Sequence, residues 1–293
     1  MVIDAVVATY NRESCIKVAV DSLLEFGHEL RTIYIIVNGS EDNTLDKLAA
    51  YQEDDKVVVI ELKENIGAPA GKNIGMRASD ADVVVVIDDD AEFFTADAIA
   101  EIRRQFENES RLGIVQFKIV NDSLRTIQKN EFPGNDIKTQ SDKEFLISSF
   151  TGAGHAMRKK MLEEVGYYPD SFFYAHEELD LSFRAIIGGW LVKYTPKVGI
   201  YHKKDPKGRL PENRMIEKMV TNRMVVAYRY LPLIYRIVSG ILWLAKSAVW
   251  SRSFSVPVNA FSQYMKEKND VQRLPVDRKS LEYLKSNHGR LWY

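Results

Sequence analysis

Three consecutive aspartates, Asp88-Asp89-Asp90, follow directly on the run Val83-Val84-Val85-Val86-Ile87. Unbroken β-branched residues of this kind read as a strand buried on both faces, the pattern of a parallel sheet. In open α/β sheets, ligands collect beyond the carboxyl ends of the strands. Carboxylates crowded there repel one another and call for a compensating positive charge. A hard divalent cation carrying a phosphorylated substrate supplies one, because Mg²⁺ takes one or two carboxylates together with phosphate oxygens. An acidic turn that merely caps the next helix is the plainer reading.

The preceding residues repeat one unit. Apolar strands are predicted over 2–9, 32–37 and 56–62, and helices over 11–26, 43–51 and 72–79. With the strand at 83–87 this is β-α-β-α-β-α-β, which builds a parallel sheet with right-handed crossovers. Further on, 96–108 reads as a helix and 113–120 as a strand, followed by a polar excursion over 121–145. Short helices are predicted at 161–165 and 177–187, then strand segments at 191–194 and 198–202. Asp205-Pro206-Lys207-Gly208-Arg209 reads as a mobile loop. From Glu212 onward the pattern is helical and basic.

The 293-residue chain is 45% hydrophobic and 28% charged, an ordinary globular balance. Its single cysteine, Cys15, leaves no intramolecular disulfide or cysteine-based zinc site and fits a reducing compartment. The start, Met1-Val2-Ile3-Asp4, lacks the basic stretch of a secretory signal. The net charge of −1 hides an asymmetry: residues 1–183 hold 19 Lys+Arg against 34 Asp+Glu, and residues 184–293 hold 21 against 7. Two opposed halves predict either mutual pairing or a basic surface with its own anionic partner.

Polar turns punctuate the strand ends. No Gly-x-Gly-x-x-Gly turn and no Walker sequence occurs, which argues against a dinucleotide enzyme or P-loop ATPase. What does occur, in order, is Thr9-Tyr10-Asn11-Arg12, Asn38-Gly39-Ser40-Glu41-Asp42-Asn43-Thr44, Asn65-Ile66-Gly67 with Lys72-Asn73-Ile74-Gly75, and Asp88-Asp89-Asp90. Over about residues 2–225 this series resembles family 2 glycosyltransferases of the GT-A fold. The resemblance implies an α/β architecture, Rossmann-like, with a mostly parallel sheet flanked by helices and a C-terminal helical appendage. It also implies inverting transfer of a sugar from a nucleotide diphosphate donor. Thr9, Tyr10, Asn11 and Arg12 would lie beside the nucleotide, with Asn38 near the base where the family usually has aspartate. Asp42, Asn65, Gly67 and Lys72 would flank the donor. Asp88-Asp89-Asp90 is similar to the Asp-x-Asp motif: Asp88 would approach the ribose, Asp89 support it, and Asp90 ligate Mn²⁺ or Mg²⁺.

The segment His176-Glu177-Glu178-Leu179-Asp180-Leu181-Ser182-Phe183-Arg184 opens a helix with acidic residues, favoured there by the helix dipole. A carboxylate beside the metal site can serve as general base. The segment resembles the family's Glu-Asp-x-Asp-Leu-x-x-Arg motif, with Glu where the family has its second acid. Glu178 is the favoured base and Glu177 the alternative, while Asp180 organises the helix start and acceptor pocket. Thr151-Gly152-Ala153-Gly154-His155-Ala156 resembles the small-residue loop placed against donor sugar and acceptor, with Gly152 in contact. His202, after a strand, resembles a further metal ligand, and imidazole suits Mn²⁺. Asn222-Arg223 is similar to a recurrent Arg-Asn pair in reversed order.

The chain is thus expected to comprise a nucleotide-sugar-binding and catalytic domain over 1–211 and a basic, amphipathic helical region over 212–293. Leu231 to Trp250 is interrupted by Arg236 and Lys246, so it is read as lying in a bilayer surface or packing on protein rather than spanning. The expected function is metal-dependent transfer of a hexosyl or deoxyhexosyl group from a UDP- or dTDP-sugar to a glycan or lipid-linked acceptor. Bacterial surface polysaccharide synthesis is the expected setting. A cytoplasmic enzyme, peripheral on the inner face of the cell membrane, accords with the basic tail; no nucleic-acid partner is expected, and self-association would run through the C-terminal helices. A nucleotidyltransferase that makes the sugar nucleotide, or a non-catalytic glycan-binding scaffold of the same fold, are the competing readings.

Overall fold

The computed structural model describes residues 1–292. Its elements run β1 (Ile3–Thr9), α1 (Ile16–Leu24), β2 (Ile33–Asn38), α2 (Thr44–Leu48), β3 (Val57–Leu62), α3 (Ala68–Ala78), β4 (Val83–Ile87), β5 (Ala91–Phe93) and α4 (Ala98–Asn108). They continue β6 (Leu112–Asn121), α5 (Ile137–Gln140), β7 (Phe145–Leu146), β8 (Gly154–Arg158), α6 (Lys159–Val165), α7 (Glu177–Ile187) and β9 (Leu191–His202). The chain closes with α8 (Glu212–Tyr230), α9 (Leu233–Ser251), α10 (Ser255–Glu267) and α11 (Arg278–Ser286).

One sheet organises the molecule, in the order β3-β2-β1-β4-β8-β6-β9-β5, with β7 paired to β9. The first four strands pair in parallel, as the alternating pattern predicts. Val83 to Ile87 are buried on both faces of β4, which accounts for their uniformly apolar character. Beyond β4 the sheet becomes mixed. β8 runs antiparallel to both β4 and β6, while β6 and β9 are parallel. The sequence predicts a loop over 151–156; only its first residues form one, because Gly154 to Arg158 form β8. Gly and His at its start mask the strand pattern, yet Ile87 pairs with Gly154 and Val83 with Arg158. Likewise β9 is one continuous strand rather than two segments, with Thr195 and Pro196 inside it.

α1 begins at Ile16, not at Asn11 where the sequence predicts its start. Asn11 is in the left-handed region (φ 53°), and the Arg12 carbonyl accepts from the amides of Cys15 and Ile16. The residues between β1 and α1 therefore stay in a turn at the sheet's carboxyl edge. The 121–145 excursion carries a bridge from Asn121 to Thr126, then α5 and β7.

Two cores sandwich the sheet. On one face Ile16, Val20, Leu23, Ile99 and Phe106 pack on β1, β2 and β4; on the other Met76, Met161, Leu181, Phe183 and Val226 do so. α8, α9 and α10 pack around a smaller core of Ile216, Val220, Met224, Trp243, Val256 and Ala260. The chain then returns to the main body. Residues 274–276 hydrogen-bond along the end of α8, and Leu284 and Leu291 are buried in the second core.

Candidate active site

β4 delivers Asp88 to the carboxyl edge of the sheet, between β1 and β8. Asp88, Asp90 and His202 each present a ligand atom, and these atoms lie within 4.8 Å of one another. His202 stands at the end of β9, paired with Ala91 across the antiparallel β5, which brings it beside the aspartates. Its Nε2 is 3.1 Å from Asp90 Oδ1 and 3.9 Å from Asp88 Oδ2. The two carboxylates suit a hard divalent cation such as Mn²⁺ or Mg²⁺, and with the imidazole they leave further positions for phosphate oxygens and water. The donor set and spacing fit such an ion.

Behind His202 stands Glu131, which sequence reasoning missed. Its Oε1 pairs with His202 Nδ1, and its Oε2 is 2.9 Å from Lys204 Nζ. This is the carboxylate–histidine arrangement that orients metal-ligating imidazoles. Burial works against charge on His202, but hydrogen bonds to Asp90 and Glu131 outweigh it and raise the pKa to about 10. Without a metal, an imidazolium there partly balances the aspartates; to ligate an ion through Nε2 the ring gives up that proton. Glu131 comes from the polar 121–145 excursion, where no local pattern distinguishes it from its neighbours.

Lys72, on α3, is buried and reaches Asp88 at 2.7 Å. Burial disfavours both charges, yet the pair prevails: the Asp88 carboxyl is lowered and the Lys72 ammonium raised. Across from this pair lies Glu178. A Cβ built on Gly152 would sit 2.2 Å from Glu178 Oε1 and 3.7 Å from Lys72 Nζ, so the Gly152 turn is pressed between them. Burial pushes both Glu177 and Glu178 upward, with Lys72 opposing. Glu177 is buried and its Oε2 has no partner, while Glu178 is only partly covered. Of the two, Glu178 is the carboxylate that faces the lysine and the glycine turn.

The approach to α7 is strained in a specific way. Ala175 and His176 both adopt left-handed backbone (φ 69° and 67°). Non-glycine residues seldom do so, and surrounding structure must hold them there. Asn222 on α8 holds this pair: its amide donates to the carbonyls of Tyr174 and Ala175, each at 2.9 Å. That explains the Asn222 half of the Asn222-Arg223 pair. Arg223 is buried, donates to the Arg290 carbonyl and lies over the Trp243 ring.

Other expected site residues line the same edge but are engaged with the protein. The Asn38 amide donates to Asn65 Oδ1 and the Gly67 carbonyl and accepts from the Ile66 amide, so it braces the 65–67 loop. Gly67 has φ 91°, and a Cβ there would be 2.7 Å from the Phe173 carbonyl oxygen. Asn11 accepts from the Glu41 amide, and Asp42 caps Thr44 and the Glu13 amide. Thr9 is buried at the end of β1. Arg12 meets Asp89 at 3.1 Å and donates to the carbonyls of Asp205 and Lys207. Burial and the neighbouring Asp90 raise Asp89, against the pull of Arg12. Arg12 and Asp89 thus act as a buried brace. The 205–209 loop, expected to be mobile, is drawn over this turn: Asp205 donates its amide to Asp90 Oδ2, and Gly208 abuts the Tyr10 carbonyl.

Asp180, expected to organise the start of α7 and the acceptor pocket, accepts from Arg184, Arg229 and the Tyr230 hydroxyl through its carboxylate. It is a structural anchor between α7 and α8.

The family model for glycosyl transferase family 2 matches residues 4–166, more than half of the chain. The chain belongs to glycosyl transferase family 2. A poly-β-1,6-N-acetyl-D-glucosamine synthase of Staphylococcus aureus is 26% identical over 195 residues, 64% of this chain and 47% of that protein. An uncharacterised Haemophilus influenzae protein is 30% identical over 107 residues, 36% of this chain and 58% of that protein. The chain therefore spans about half the length of the curated relatives it matches.

Among solved structures, GalNAc-T7 with UDP, GalNAc and Mn²⁺ superposes with a TM-score of 0.64 at 14% identity, over 92% of this chain and 57% of that one. The Pyrobaculum calidifontis mannosyltransferase PcManGT with GDP-Man and Mn²⁺ gives 0.59 at 15% identity, over 99% and 80%. S. aureus TarS 1–349 in complex with UDP gives 0.56 at 13% identity, over 98% and 92%. The GT-A fold expected from the sequence is the fold observed.

Proposed function

We propose that this glycosyl transferase family 2 member moves a sugar from a UDP- or dTDP-linked donor to a hydroxyl of a glycan or lipid-linked acceptor, with inversion. The observation that carries the reading is the convergence of Asp88, Asp90 and His202 on one point, with Lys72 and Glu178 beside it. The relatives named for polysaccharide synthesis, and the structural neighbours bound to UDP, GDP-Man and Mn²⁺, support the same class.

Residues 1–211 supply the donor and catalytic residues in this reading, and residues 212–293 the helical appendage. Asp88, Asp90 and His202 would hold Mn²⁺ or Mg²⁺, which when bound offsets charge developing on the departing diphosphate. Lys72 adds a fixed positive charge at the same place. The backbone turns at Tyr10, Asn11 and Ile66 border the space for the nucleoside, and Gly152 lets the donor sugar approach Glu178. Glu178 accepts the proton of the acceptor hydroxyl, whose oxygen attacks the anomeric carbon from the face opposite the diphosphate. Buried Glu177 keeps its proton and shapes the pocket floor. No covalent sugar–enzyme bond is needed, so the anomeric configuration inverts.

A thermal-shift screen of UDP, dTDP and GDP compounds with and without Mn²⁺ tests the donor site, since a ligand that binds only the folded state raises its stability. A Mn²⁺-dependent shift with one nucleotide family is expected. Absence of a shift with every nucleotide sugar would favour a non-catalytic scaffold.

A further inference from the structure

α9 is built inside out. Its buried side carries small or polar residues, Ser239, Gly240 and Ser247 with Trp243, and these close on α8 and α10. Its large aliphatic residues face outward: Ile234, Ile237, Ile241 and Val249 recur at helical spacing, with the small Ala245 between the last two, and all are exposed, Ile241 by 62% and Val249 by 74%. α10 and its N-cap repeat the design with Phe254, Val258, Phe261 and Met265, spaced four, three and four residues apart, with Phe254 87% exposed. Water-soluble helices place such stripes toward the core, and contiguous exposed apolar surface marks an interaction site.

The charge around these stripes is one-sided. Residues 233–268 contain Arg236, Lys246, Arg252, Lys266 and Lys268 against the single acid Glu267. Arg236 and Lys246 stack on the rings of Tyr228 and Trp243, and exposed Arg252 sits at the bend between the two helices next to Phe254 and Trp250. Apolar stripes bordered by cations and aromatic residues match the boundary of an anionic bilayer, where rings sit at headgroup depth. α9 is long and apolar enough to span, but one side of it is held against α8 and α10. That packing favours a helix lying in the plane.

We propose that the outward faces of α9 and α10 dock this chain on an anionic lipid surface, with Ile237, Ile241, Val249, Phe254, Val258 and Phe261 entering the acyl boundary. The docked face is directly connected to the site. Trp243, on the inner side of α9, meets the ring of His176 edge-on at 5.3 Å, and His176 caps the helix that carries Glu178. A lipid-linked acceptor held in the same membrane would therefore arrive close to the catalytic helix.

Vesicle co-sedimentation of the full chain, without nucleotide, tests the docking independently of any transfer reaction. Binding is expected to vesicles containing phosphatidylglycerol and to be much weaker with phosphatidylcholine alone. The pair Phe254→Asp and Phe261→Asp should weaken it by about tenfold or more, with the thermal transition unchanged. Wild-type protein adds a readout free of folding effects: lipids brominated in the acyl chain should quench tryptophan fluorescence through Trp250. No sedimentation with anionic vesicles at low salt, or no quenching, would overturn the proposal. A concentration-dependent dimer abolished by the same pair, without lipid binding, would overturn it in favour of a subunit interface.

Discussion

Glu131 and His202 are 71 residues apart in sequence, yet Glu131 Oε1 pairs with His202 Nδ1 and leaves Nε2 turned toward Asp90. The carboxylate fixes the ring of a candidate metal ligand from behind. Partners of this kind contribute roughly 10–100-fold to metal affinity. Glu131→Gln is expected to weaken Mn²⁺ binding within that range, measured by titration calorimetry, while the fold stays intact. Unchanged affinity would remove Glu131 from the site.

Glu178 and Glu177 are separated by what they face. Glu178→Gln should lower transfer by a factor on the order of 10²–10⁴, the range for loss of a general base, and leave donor affinity in place. Glu177→Gln replaces a group that burial already keeps protonated, so it should retain far more activity. The reverse ranking in a sugar-transfer assay would exchange their roles.

Gly152 has no room for a side chain beside Glu178. Gly152→Ala places a carbon 2.2 Å from Glu178 Oε1, closer than any non-bonded contact allows, and must displace the carboxylate. Transfer should fall steeply while the melting temperature changes little. Full activity in this variant would show that the carboxylate position is not critical.

Asn222→Ala leaves the carbonyls of Tyr174 and Ala175 without their donors and releases the left-handed pair before α7. Loss of buried hydrogen bonds of this type costs about 1–3 kcal/mol. Urea unfolding should detect it, and the activity loss should exceed what the stability change explains. A variant as stable as the parent would mean that other contacts hold the turn.

His155 lies fully buried under the Gly152 turn with Nε2 on the Tyr168 hydroxyl, and burial lowers its pKa to about 3. The unfolded chain protonates this group near pH 6.5. Between those values the unfolded state binds the extra proton, so stability falls as pH drops from about 6.5 toward 3. The slope is at most about 1.4 kcal/mol per pH unit. Denaturant unfolding at pH 7 and pH 5 should show a smaller difference for His155→Gln than for wild type. Equal differences would contradict the assignment.

The parallel half of the sheet and the polar turns at its carboxyl edge follow from the sequence alone, which also points to Asp88, Asp90, Glu178 and His202 as candidates. Those features are local: a strand of five buried β-branched residues specifies its own burial, and a turn follows where it stops. Tertiary structure decided which polar groups were free to act. Arg12 and Asp89, 77 residues apart, became a brace; Asp180 was claimed by Arg229 and Tyr230; Asn38 turned to the 65–67 loop. β8 also escaped the sequence reading, since its pairing to β4 depends on an insertion between distant strands rather than on its own pattern. A charged side chain shows its type in the sequence, but the partner that neutralises it comes from chain folded against it across long separations. Only that packing separates a ligand from an anchor.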